Sequence, residues 1–495
     1  MEIRFTSEIF NHLLQSEENI ACAIEGQTYT YGEFSNCVGA AQQRMLGISE
    51  PAVGVLVQNS METYAALVAA WLCGKAYVPI NANYPEERNA IIFREAGVRH
   101  LFYAENDEIS RLEAHDLHFI DTKALTPQKP VFIEPGAEKT AYILFTSGTT
   151  GSPKGVSVTF GNLQAFCEGF LYLDYELNAK DRFLQMFELT FDLSVMCFMI
   201  PLTLGASFYT LPAGMIKTLG LYHILESMEI TFSLMVPSAI QMLMPYLEDI
   251  HLPQLRVSQF CGEALKLDVV EKWSRCVPNA VVDNVYGPTE ATIYCTTQRL
   301  VPEQKEIAGF NGVAGIGKAM LHVQTAVYQE GKKVIETGIA GELCLSGAQL
   351  SPGYLNNPTQ NEKAFFEDAG IRYYKTGDLV FMNEENNLMY SGRLDDQVKI
   401  QGYRIELAEL EMAGQKIIED LQSVAIGVQD AADNWLLVLW VQNPQFELDA
   451  FHEKLKLHLP EYMIPHRVLE IEEFPLNSNG KTDKKMLREF ALKHL

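Results

Sequence analysis

Cysteine is scarce in this sequence and follows no pattern. The nine cysteines are scattered over 495 residues, their number is odd, and no Cys-x-x-Cys pair occurs. Neither a zinc site nor a disulfide framework is therefore supported. Reduced thiols in a cytoplasmic compartment are the expectation.

Basic charge is also in short supply. The chain carries 38 lysines and arginines against 63 aspartates and glutamates, which gives a formal net charge of −25. A surface of that sign repels a phosphate backbone, so general nucleic-acid binding is excluded.

Long hydrophobic runs are missing as well, and no low-complexity tract or internal repeat appears. Residues 1–16 contain no apolar core of a secretory signal. The most membrane-like segment, 191–208, is short for a span and carries Asp192 near one end and Pro201 in its middle. We expect a buried helix there and no membrane insertion.

What the sequence does contain is a long alternation of helical and strand patterns, in a chain too long for one core. This alternation predicts an α/β fold whose large N-terminal lobe has mostly parallel sheets covered by helices. Short strands and turns before residue 390 predict a small β-rich unit. A polar break at 392–396 then precedes an α+β unit. We predict an N-terminal core domain over 1–394 and a mobile C-terminal lid over 395–495.

A loop rich in serine, threonine and glycine follows the apolar run 141–145, which reads as a buried strand. Such a loop can turn backbone N–H groups and hydroxyls toward a polyphosphate, and a lysine adds positive charge. It is not a Walker loop, because Gly155 follows Lys154 where serine or threonine is needed. The alternative is a flexible surface turn. The candidate phosphate ligands are Thr146, Ser147, Gly148, Thr149, Thr150, Gly151 and Lys154.

Four further motifs carry polar residues at turns. The first, Asn-Val-Tyr-Gly-Pro-Thr-Glu at 284–290, follows an apolar run, where ligands of open α/β sheets bind. The second and third are Thr-Gly-Asp at 376–378 and Gly-Arg-Leu-Asp at 392–395, and a strand-turn at 399–406 comes directly after them. The fourth, at 475–483, contains Gly-Lys-Thr, but Pro475 stands where a Walker motif needs glycine. Taken singly, each is equally an ordinary solvated turn.

Together and in this order, the motifs resemble those of the adenylate-forming superfamily, which includes acyl-CoA synthetases, luciferases and peptide-synthetase adenylation domains. The resemblance implies a ligase that uses ATP and Mg²⁺ to form an acyl-adenylate, which a thiol then attacks after the lid reorients. It implies catalytic roles for Lys481, Arg393 and Lys399, a hinge at Asp395, and Glu290 as the magnesium ligand. It adds to the nucleotide-binding set Asn284, Tyr286 for adenine stacking, Gly287, Thr289, Asp378 for the ribose hydroxyls, and Arg393.

The same resemblance suggests a substrate. Asp192 stands where amino-acid-activating members keep an aspartate for the substrate ammonium, and a buried carboxylate needs such a cation. The alternative is an aspartate that caps a helix. By motif alignment, the side-chain pocket consists of Leu193, Met196, Leu234, Gln259, Cys261, Val285, Ile293 and Tyr294.

The bulk of Tyr294 predicts a shallow pocket and a small side chain. Runs around Phe191 and Cys261 are similar to those of the D-alanine–D-alanyl carrier protein ligases, which are free-standing, and the sequence stops soon after Lys481 as theirs do. D-alanine is therefore favoured. Gln259 and Tyr294 depart from that pattern and leave other small neutral amino acids, L or D, open.

The implied thiol partner is a phosphopantetheinyl carrier protein acting in trans. Such carriers are acidic, so an acidic enzyme needs a basic patch. The candidate patch, whose alternative is a merely solvated tail, comprises Lys481, Lys484, Lys485, Arg488 and Lys493. Two rival functions remain: an acyl- or aryl-CoA ligase, and a nucleotide-binding module without catalysis.

Overall fold

The computed structural model describes residues 2–113, 115–148, 151–212, 217–301, 309–419, 421–430, 434–442, 444–476 and 482–494. The helices are α1 (Arg4–Gln15), α2 (Tyr31–Leu46), α3 (Met61–Leu72), α4 (Glu86–Ala96), α5 (Phe160–Leu171), α6 (Leu193–Leu204), α7 (Lys217–Ser227), α8 (Pro237–Leu243), α9 (Leu267–Cys276), α10 (Pro358–Ala364), α11 (Leu407–Ile417), α12 (Leu448–Leu455) and α13 (Lys484–Ala491).

The strands are β1 (Ile20–Ile24), β2 (Gln27–Thr30), β3 (Ala52–Leu56), β4 (Ala76–Ile80), β5 (His100–Tyr103), β6 (His118–Asp121), β7 (Thr140–Thr146), β8 (Lys154–Thr159), β9 (Arg182–Gln185), β10 (Ser207–Thr210), β11 (Phe232–Met235), β12 (Val257–Phe260), β13 (Val281–Tyr286), β14 (Thr296–Leu300), β15 (Gly309–Phe310), β16 (Val313–Ala314), β17 (Lys318–Ala319), β18 (Val323–Gln329), β19 (Lys332–Val334), β20 (Gly341–Gly347), β21 (Gly353–Tyr354), β22 (Phe365–Asp368), β23 (Ile371–Met382), β24 (Leu388–Arg393), β25 (Val398–Ile400), β26 (Tyr403–Ile405), β27 (Ser423–Gln429), β28 (Trp435–Gln442) and β29 (Arg467–Ile471).

Two large sheets build the N-terminal lobe. One has nine strands in the order β17-β14-β13-β12-β11-β9-β10-β1-β2, and the other has seven in the order β21-β8-β7-β4-β3-β5-β6. Strands from β13 to β1 in the first sheet pair in parallel, as do β7, β4, β3, β5 and β6 in the second. Parallel strands are covered on both faces, which explains their continuous apolar runs.

Helices α3 and α6 fill the space in the large core because their sequences are apolar all round. Every residue of α6 from Leu193 to Thr203 is buried. The buried helix predicted over 191–208 is correct for its first part and wrong for its last. Gly205 ends the helix in the left-handed conformation, with φ of 69°, which glycine adopts without a steric penalty. The following β10 then pairs in parallel with β1 and β9.

The remaining two units match the prediction in class. Strands β19, β18, β20, β23 and β22 form a mainly antiparallel sheet, which β24 extends from β23. After Arg393 come the hairpin β25–β26 and the sheet β27-β28-β29 with α11, α12 and α13. The predicted fold class is therefore confirmed. The boundary at 394/395 and the mobility of the lid stay predictions.

In the part of the chain that the structure describes, no helix combines the length and the apolar character needed to cross a bilayer.

Candidate functional site

The predicted phosphate loop connects two antiparallel strands of the seven-stranded sheet. Thr146 at the end of β7 pairs with Lys154 at the start of β8. The loop needs glycine at two points: a Cβ on Gly148 would lie 1.9 Å from the carbonyl oxygen of Ser152, and Gly151 has φ of 71°. Thr149 and Thr150 lie outside the described residues.

Lys154 points its ammonium group toward an aromatic ring. Its Nζ lies 5.2 Å from the ring centroid of Tyr354, on β21 beside β8. Burial lowers the pKa of Lys154, while the nearby carboxylates of Glu406 and Glu290 act in the opposite direction. The side chain is thus a desolvated cation behind the loop, a position in which its charge acts strongly on an anion.

Glu290 lies just after β13 and is almost completely buried. Its carboxylate accepts hydrogen bonds from the Tyr354 hydroxyl at 2.6 Å and from Arg404 at 2.9 and 3.1 Å. Burial alone would raise the pKa of Glu290, but Arg404 and these hydrogen bonds outweigh it, so the pKa lies below its ordinary value. Glu290 is therefore an ionised carboxylate that already holds a cationic group.

Asp378 and Arg393 face each other across the pair β23–β24. Arg393 donates to Asp378 at 2.6 Å and binds both carboxylate oxygens of Asp395, at 2.6 and 2.8 Å. The Tyr286 hydroxyl donates to the other oxygen of Asp378 at 2.5 Å. The arginine thus ties the predicted ribose ligand to the predicted hinge residue.

Part of these elements lines one cavity of about 190 Å³, which Gly148, Gly151, Lys154 and Glu290 do not line. The predicted site residues that line it are Thr146, Ser147, Asp192, Leu193, Cys261, Gly287, Thr289, Ile293, Asp378, Arg393 and Lys399. Asn284, Val285 and Tyr286 line a smaller neighbouring cavity of about 40 Å³, where Lys399 also reaches. Residues separated by more than two hundred positions in sequence therefore converge on one place.

Asp192 immediately precedes α6 but makes no capping hydrogen bond to it. The side chain is buried, and its Oδ2 has no hydrogen-bond partner among the described residues. Burial raises the pKa of Asp192 to about 6, against an opposing hydrogen bond from Thr289. A buried, incompletely paired carboxylate in the wall of a cavity fits a ligand that brings its own cation.

Four predicted pocket residues do not line either cavity. Each of them is fully buried, and they are Met196, Leu234, Gln259 and Tyr294. The Tyr294 hydroxyl donates to Gln259 Oε1 at 2.9 Å. Their contact with a substrate side chain stays a prediction.

The hairpin β25–β26 of the lid closes one side of the cavity. Lys399 lies with its Nζ 5.3 Å from the Tyr286 ring centroid, and Gly402, Tyr403 and Arg404 line the cavity wall. The Ser147 hydroxyl donates to the Arg404 carbonyl oxygen at 2.8 Å. The strand-turn 399–406 therefore faces the site, as the resemblance predicts for the thiol-transfer arrangement.

Three residues that hold the lid against the core receive no role from the sequence patterns: Arg404, Glu409 and Glu263. Arg404 pairs with Glu290, the N–H of Gly148 donates to Glu409 at 3.0 Å, and the N–H of Gly402 donates to Glu263 at 3.0 Å. The first partners are 114 positions apart and the second 261. The only local signal is that Arg404 is the single arginine in the predicted strand-turn.

Two predicted features of the tail can be located only in part. Lys481 lies outside the described residues. Lys484, a member of the expected basic patch, pairs with Asp396 at 2.9 Å. Arg488 donates to the carbonyl oxygen of Gly427 at 3.3 Å. These two side chains are therefore engaged within the lid. Among the described residues, no group of three or more histidine, cysteine, aspartate or glutamate side chains forms a ready-made metal site.

The chain is similar to known proteins over nearly its whole length. A family model described as AMP-binding enzyme matches residues 10–355. Surfactin synthase subunit 2 of Bacillus subtilis is 32% identical over an alignment of 502 positions, which covers 97% of this chain and 13% of that protein. Gramicidin S synthase 2 of Brevibacillus brevis is 30% identical, and the aligned part is 11% of its length. The chain thus spans only a small part of these relatives.

Other similar proteins have nearly the same length as this chain. D-alanine–D-alanyl carrier protein ligase of Bacillus licheniformis is 29% identical over 493 residues, covering 95% of this chain and 96% of that protein. Among solved structures, the Vibrio cholerae adenylation domain AlmE in complex with glycyl-adenosine-5'-phosphate has a TM-score of 0.87 at 26% identity. That similarity covers 100% of this chain and 98% of the other. The resemblance stated from the motifs is confirmed.

Proposed function

Because the chain belongs to the AMP-binding enzyme family, we propose that it activates a small neutral amino acid with ATP and loads it onto a carrier protein. In the first step a substrate carboxylate oxygen attacks the α-phosphorus of ATP, and pyrophosphate leaves. In the second step the phosphopantetheine thiol attacks the acyl carbon of the aminoacyl-adenylate, AMP leaves, and the thiol proton passes to solvent. The observation that carries this proposal is that Asp192, a buried carboxylate whose Oδ2 has no partner among the described residues, lines the same cavity as Thr146 and Asp378.

The nucleotide would lie between the two large sheets and the β-rich unit. Thr146, Ser147, Gly148 and Gly151 would supply donors to the phosphates, and Lys154 would add charge from behind the loop. Asp378 would accept the ribose hydroxyls, with Arg393 holding its carboxylate in place. The small cavity beside Tyr286 would take the base. Thr149 and Thr150 belong to the same proposed set.

Glu290 fits the proposed magnesium site in its chemistry. It is a buried, ionised carboxylate that already accepts a guanidinium. Mg²⁺ is commonly held by one or two carboxylates together with substrate phosphates, so a single protein carboxylate suffices. When bound, the metal would neutralise charge on the phosphates. Because Arg404 occupies the same carboxylate here, we propose that Arg404 withdraws with the lid when Mg·ATP binds.

Two lysines would act at the reacting atoms. The proposed role of Lys481 is to bridge the attacking carboxylate and the α-phosphate, because two anions meet in that step. Lys399, on the hairpin that faces the cavity, would serve the lid arrangement in which the thiol attacks. Asp395, paired with Arg393, is the proposed hinge.

The substrate class follows from Asp192 and the closed pocket. A fatty or aromatic acid brings no ammonium to the buried carboxylate, so the acyl- and aryl-CoA ligase alternative is disfavoured. D-alanine is the first candidate, in line with the Bacillus licheniformis relative, and glycine is the second, in line with the AlmE complex. The partner in the second step would be a phosphopantetheinyl carrier protein in trans.

The test of this function is ATP–pyrophosphate exchange with glycine, β-alanine and the L and D forms of small amino acids. Fatty and aromatic acids serve as the comparison set. We expect exchange with small amino acids and background rates with the comparison set. Exchange that responds only to fatty or aromatic acids would establish the CoA-ligase alternative, and ATP binding with no exchange would indicate a non-catalytic module.

A second test concerns Lys481. We expect Lys481→Ala to lower exchange by roughly 1,000-fold, because one bridging charge in a water-excluded site has an effect of that order. ATP binding, measured by calorimetry, should change less than about threefold. An unchanged exchange rate would remove Lys481 from the reaction.

A further inference from the structure

We propose that a buried chain of hydrogen-bonded side chains closes the floor of the amino-acid pocket and restricts the substrate side chain to a hydrogen or a methyl group. We call this set the floor chain; it consists of Tyr294, Gln259, Tyr175, Asp283 and Arg299. Within it, Tyr175 is a positioning residue that lies outside both cavities and acts through Gln259 and Tyr294. This inference rests on the proposed amino-acid activation and adds its size limit.

The register of three neighbouring strands puts part of the floor chain in one row. Gln259 on β12 lies opposite Asp283 on β13, and Asp283 lies opposite Arg299 on β14. Residues opposite each other in a sheet point to the same face. Cys261 is two residues past Gln259, stays hydrogen-bonded to Met235, and lines the cavity. Gln259 therefore lies one pleat, roughly 7 Å, below the cavity wall.

From Tyr294 to Asp283 the hydrogen bonds of the floor chain run in one direction, and Arg299 donates to Asp283 from the other side. The Tyr294 hydroxyl donates to Gln259 Oε1 at 2.9 Å, and Gln259 Nε2 donates to the Tyr175 hydroxyl at 2.8 Å. Tyr175 in turn donates to Asp283 Oδ2, and Arg299 binds both oxygens of Asp283 at 2.9 and 3.2 Å. Each hydroxyl has one proton and gives it to the next acceptor, so Asp283 is the acceptor at which the donors from both ends of the chain meet.

Burial holds four members of the floor chain in place, whereas Arg299 at its outer end is half exposed. Tyr294 and Gln259 are 0% exposed, and Asp283 is 1% exposed. Burial raises the pKa values of Tyr175 and Tyr294 above the ordinary phenol value, so both keep the proton that they donate. Moving any member would strand a buried polar group without water.

Tyr294 is also held from the side. Phe166 on α5 packs edge to face against it, with the ring centroids 5.0 Å apart. A substrate with a side chain longer than a methyl group would have to push Cys261 or Ile293 onto this floor. The floor cannot yield without breaking the Tyr294–Gln259 hydrogen bond, so larger amino acids are excluded by the loss of that bond as well as by shape.

Tyr175 occupies the middle position of the floor chain, between Gln259 and Asp283. It comes from the segment between α5 and β9, and its hydroxyl joins the neutral pair Tyr294–Gln259 to the charged pair Asp283–Arg299. Arg299 also lies over its ring, at 5.4 Å from the centroid. Removal of this hydroxyl leaves the shape of the core intact but releases the Gln259 amide.

The experiment compares Tyr175→Phe with a matched control, Tyr328→Phe. The Tyr328 hydroxyl also donates to an aspartate, Asp368 at 2.6 Å, but on β18 of the β-rich sheet. Exchange kinetics are measured for glycine and for the D and L forms of alanine and valine. For wild type we expect kcat/KM for glycine or alanine to exceed that for valine by roughly 100-fold. In Tyr175→Phe this ratio should fall about tenfold through KM, with kcat for the small substrates within about threefold.

Two further measurements complete the test. Tyr328→Phe should keep the wild-type ratio within about twofold, and Tyr294→Ala should gain exchange with valine. A wild-type ratio retained by Tyr175→Phe would overturn the inference, and so would a wild-type preference for valine, although amino-acid activation would then stand. If wild type exchanges with no amino acid, the proposed function fails and the inference fails with it.

Discussion

Among single residues, Asp192 is a group whose charged form the fold disfavours. The carboxylate is buried beside α6, and one of its oxygens has no partner among the described residues. Neighbouring Glu290 adds negative charge, which also favours the protonated form. The fold tolerates this unfavourable group because the surrounding core is large, and a bound ammonium would relieve it.

Replacement of Asp192 should weaken substrate binding and raise the stability of the folded protein. The difference between the ordinary pKa of 3.8 and about 6 corresponds to about 3 kcal/mol of destabilisation at pH 7, where the folded protein must hold the ionised form. Asp192→Asn removes this charge, so we expect thermal unfolding to shift upward by roughly 1–3 °C. Amino-acid KM should rise by roughly 100-fold and ATP affinity should change little. Equal losses for both ligands would indicate a structural aspartate.

The titration of Asp192 predicts a pH dependence. Its pKa in the folded protein is raised, so the anion that attracts an ammonium is lost as the pH falls through about 6. We expect kcat/KM for the amino acid to fall about tenfold per pH unit below that value, while a nucleotide-binding titration stays flat. The same protonation should add stability between about pH 6 and pH 4. A pH-independent kcat/KM between about pH 5 and pH 7 would contradict this assignment.

At the scale of elements, the hairpin β25–β26 decides what the cavity can accommodate. Its turn includes Gly402, with φ of 81°, and a Cβ there would lie 2.5 Å from Cγ1 of Val236. At Gly402 the backbone of the turn thus lies closer to Val236 than a residue with a Cβ atom would permit. Beside it, Gly262 and Gly402 also pack closely, since a Cβ on Gly262 would lie 3.4 Å from the Cα of Gly402. The missing side chain of Gly402 therefore allows the lid to dock here.

Gly402→Ala tests whether this docking serves the second step. The added methyl group would clash with Val236, so we expect aminoacyl transfer to the thiol to slow by about tenfold or more. Adenylate formation, measured by pyrophosphate exchange, should stay within about threefold. The matched control is Gly370→Ala, because Gly370 has a similar φ of 76° but nothing within 4 Å of its Cβ position. Equal effects of the two substitutions would mean that backbone strain, and not docking, is responsible.

At the scale of the whole molecule, the lid is attached by contacts between α4 and α11. Arg88 and Glu409 form an ion pair at 2.7 Å in which the two side chains are 5% and 6% exposed, whereas Lys416 and Glu87 pair at 2.9 Å on the surface. Glu409 also accepts the N–H of Gly148 in the phosphate loop. A lid carboxylate therefore occupies a donor that the proposed function assigns to phosphate, which links lid position to nucleotide binding.

Loss of the buried pair should open the molecule without unfolding it. Arg88→Met leaves the Glu409 carboxylate buried without a positive partner, with only the N–H of Gly148 as a donor. This loss costs about 3–5 kcal/mol in the docked arrangement, but undocking returns the carboxylate to water. We expect small-angle scattering to show a larger radius of gyration and the main thermal transition to move by less than about 2 °C. Lys416→Met, which breaks the exposed pair between the same two helices, should leave the scattering unchanged. Identical scattering from Arg88→Met and wild type would argue against a lid held by this pair.

Some features of this molecule can be predicted from the sequence and others cannot. The α/β class, the β-rich unit and the shared cavity follow from hydrophobic patterns and motif order. The apolar run 191–208 predicts a helix that ends later than α6 does. The run continues through Gly205, where the helix ends, into β10, so the apolar pattern alone does not mark the boundary. The bulk of Tyr294 is visible in the sequence, and its limit on pocket size stays a prediction. The hydrogen bond from Tyr294 to Gln259 joins two separate segments of the chain, so no local sequence pattern predicts it.

The sequence by itself determined the strand and glycine turn of the loop 146–155, the buried helix that begins after Asp192, and the order of the motifs, because steric limits on the backbone and the burial of apolar runs act locally. Only the tertiary structure decided that Arg404 meets Glu290, that Glu409 reaches Gly148, and that Tyr175 supports Gln259. Each of these contacts joins side chains far apart in the chain. Which charge or hydroxyl finds which partner is fixed only when the sheets and the lid have packed against each other.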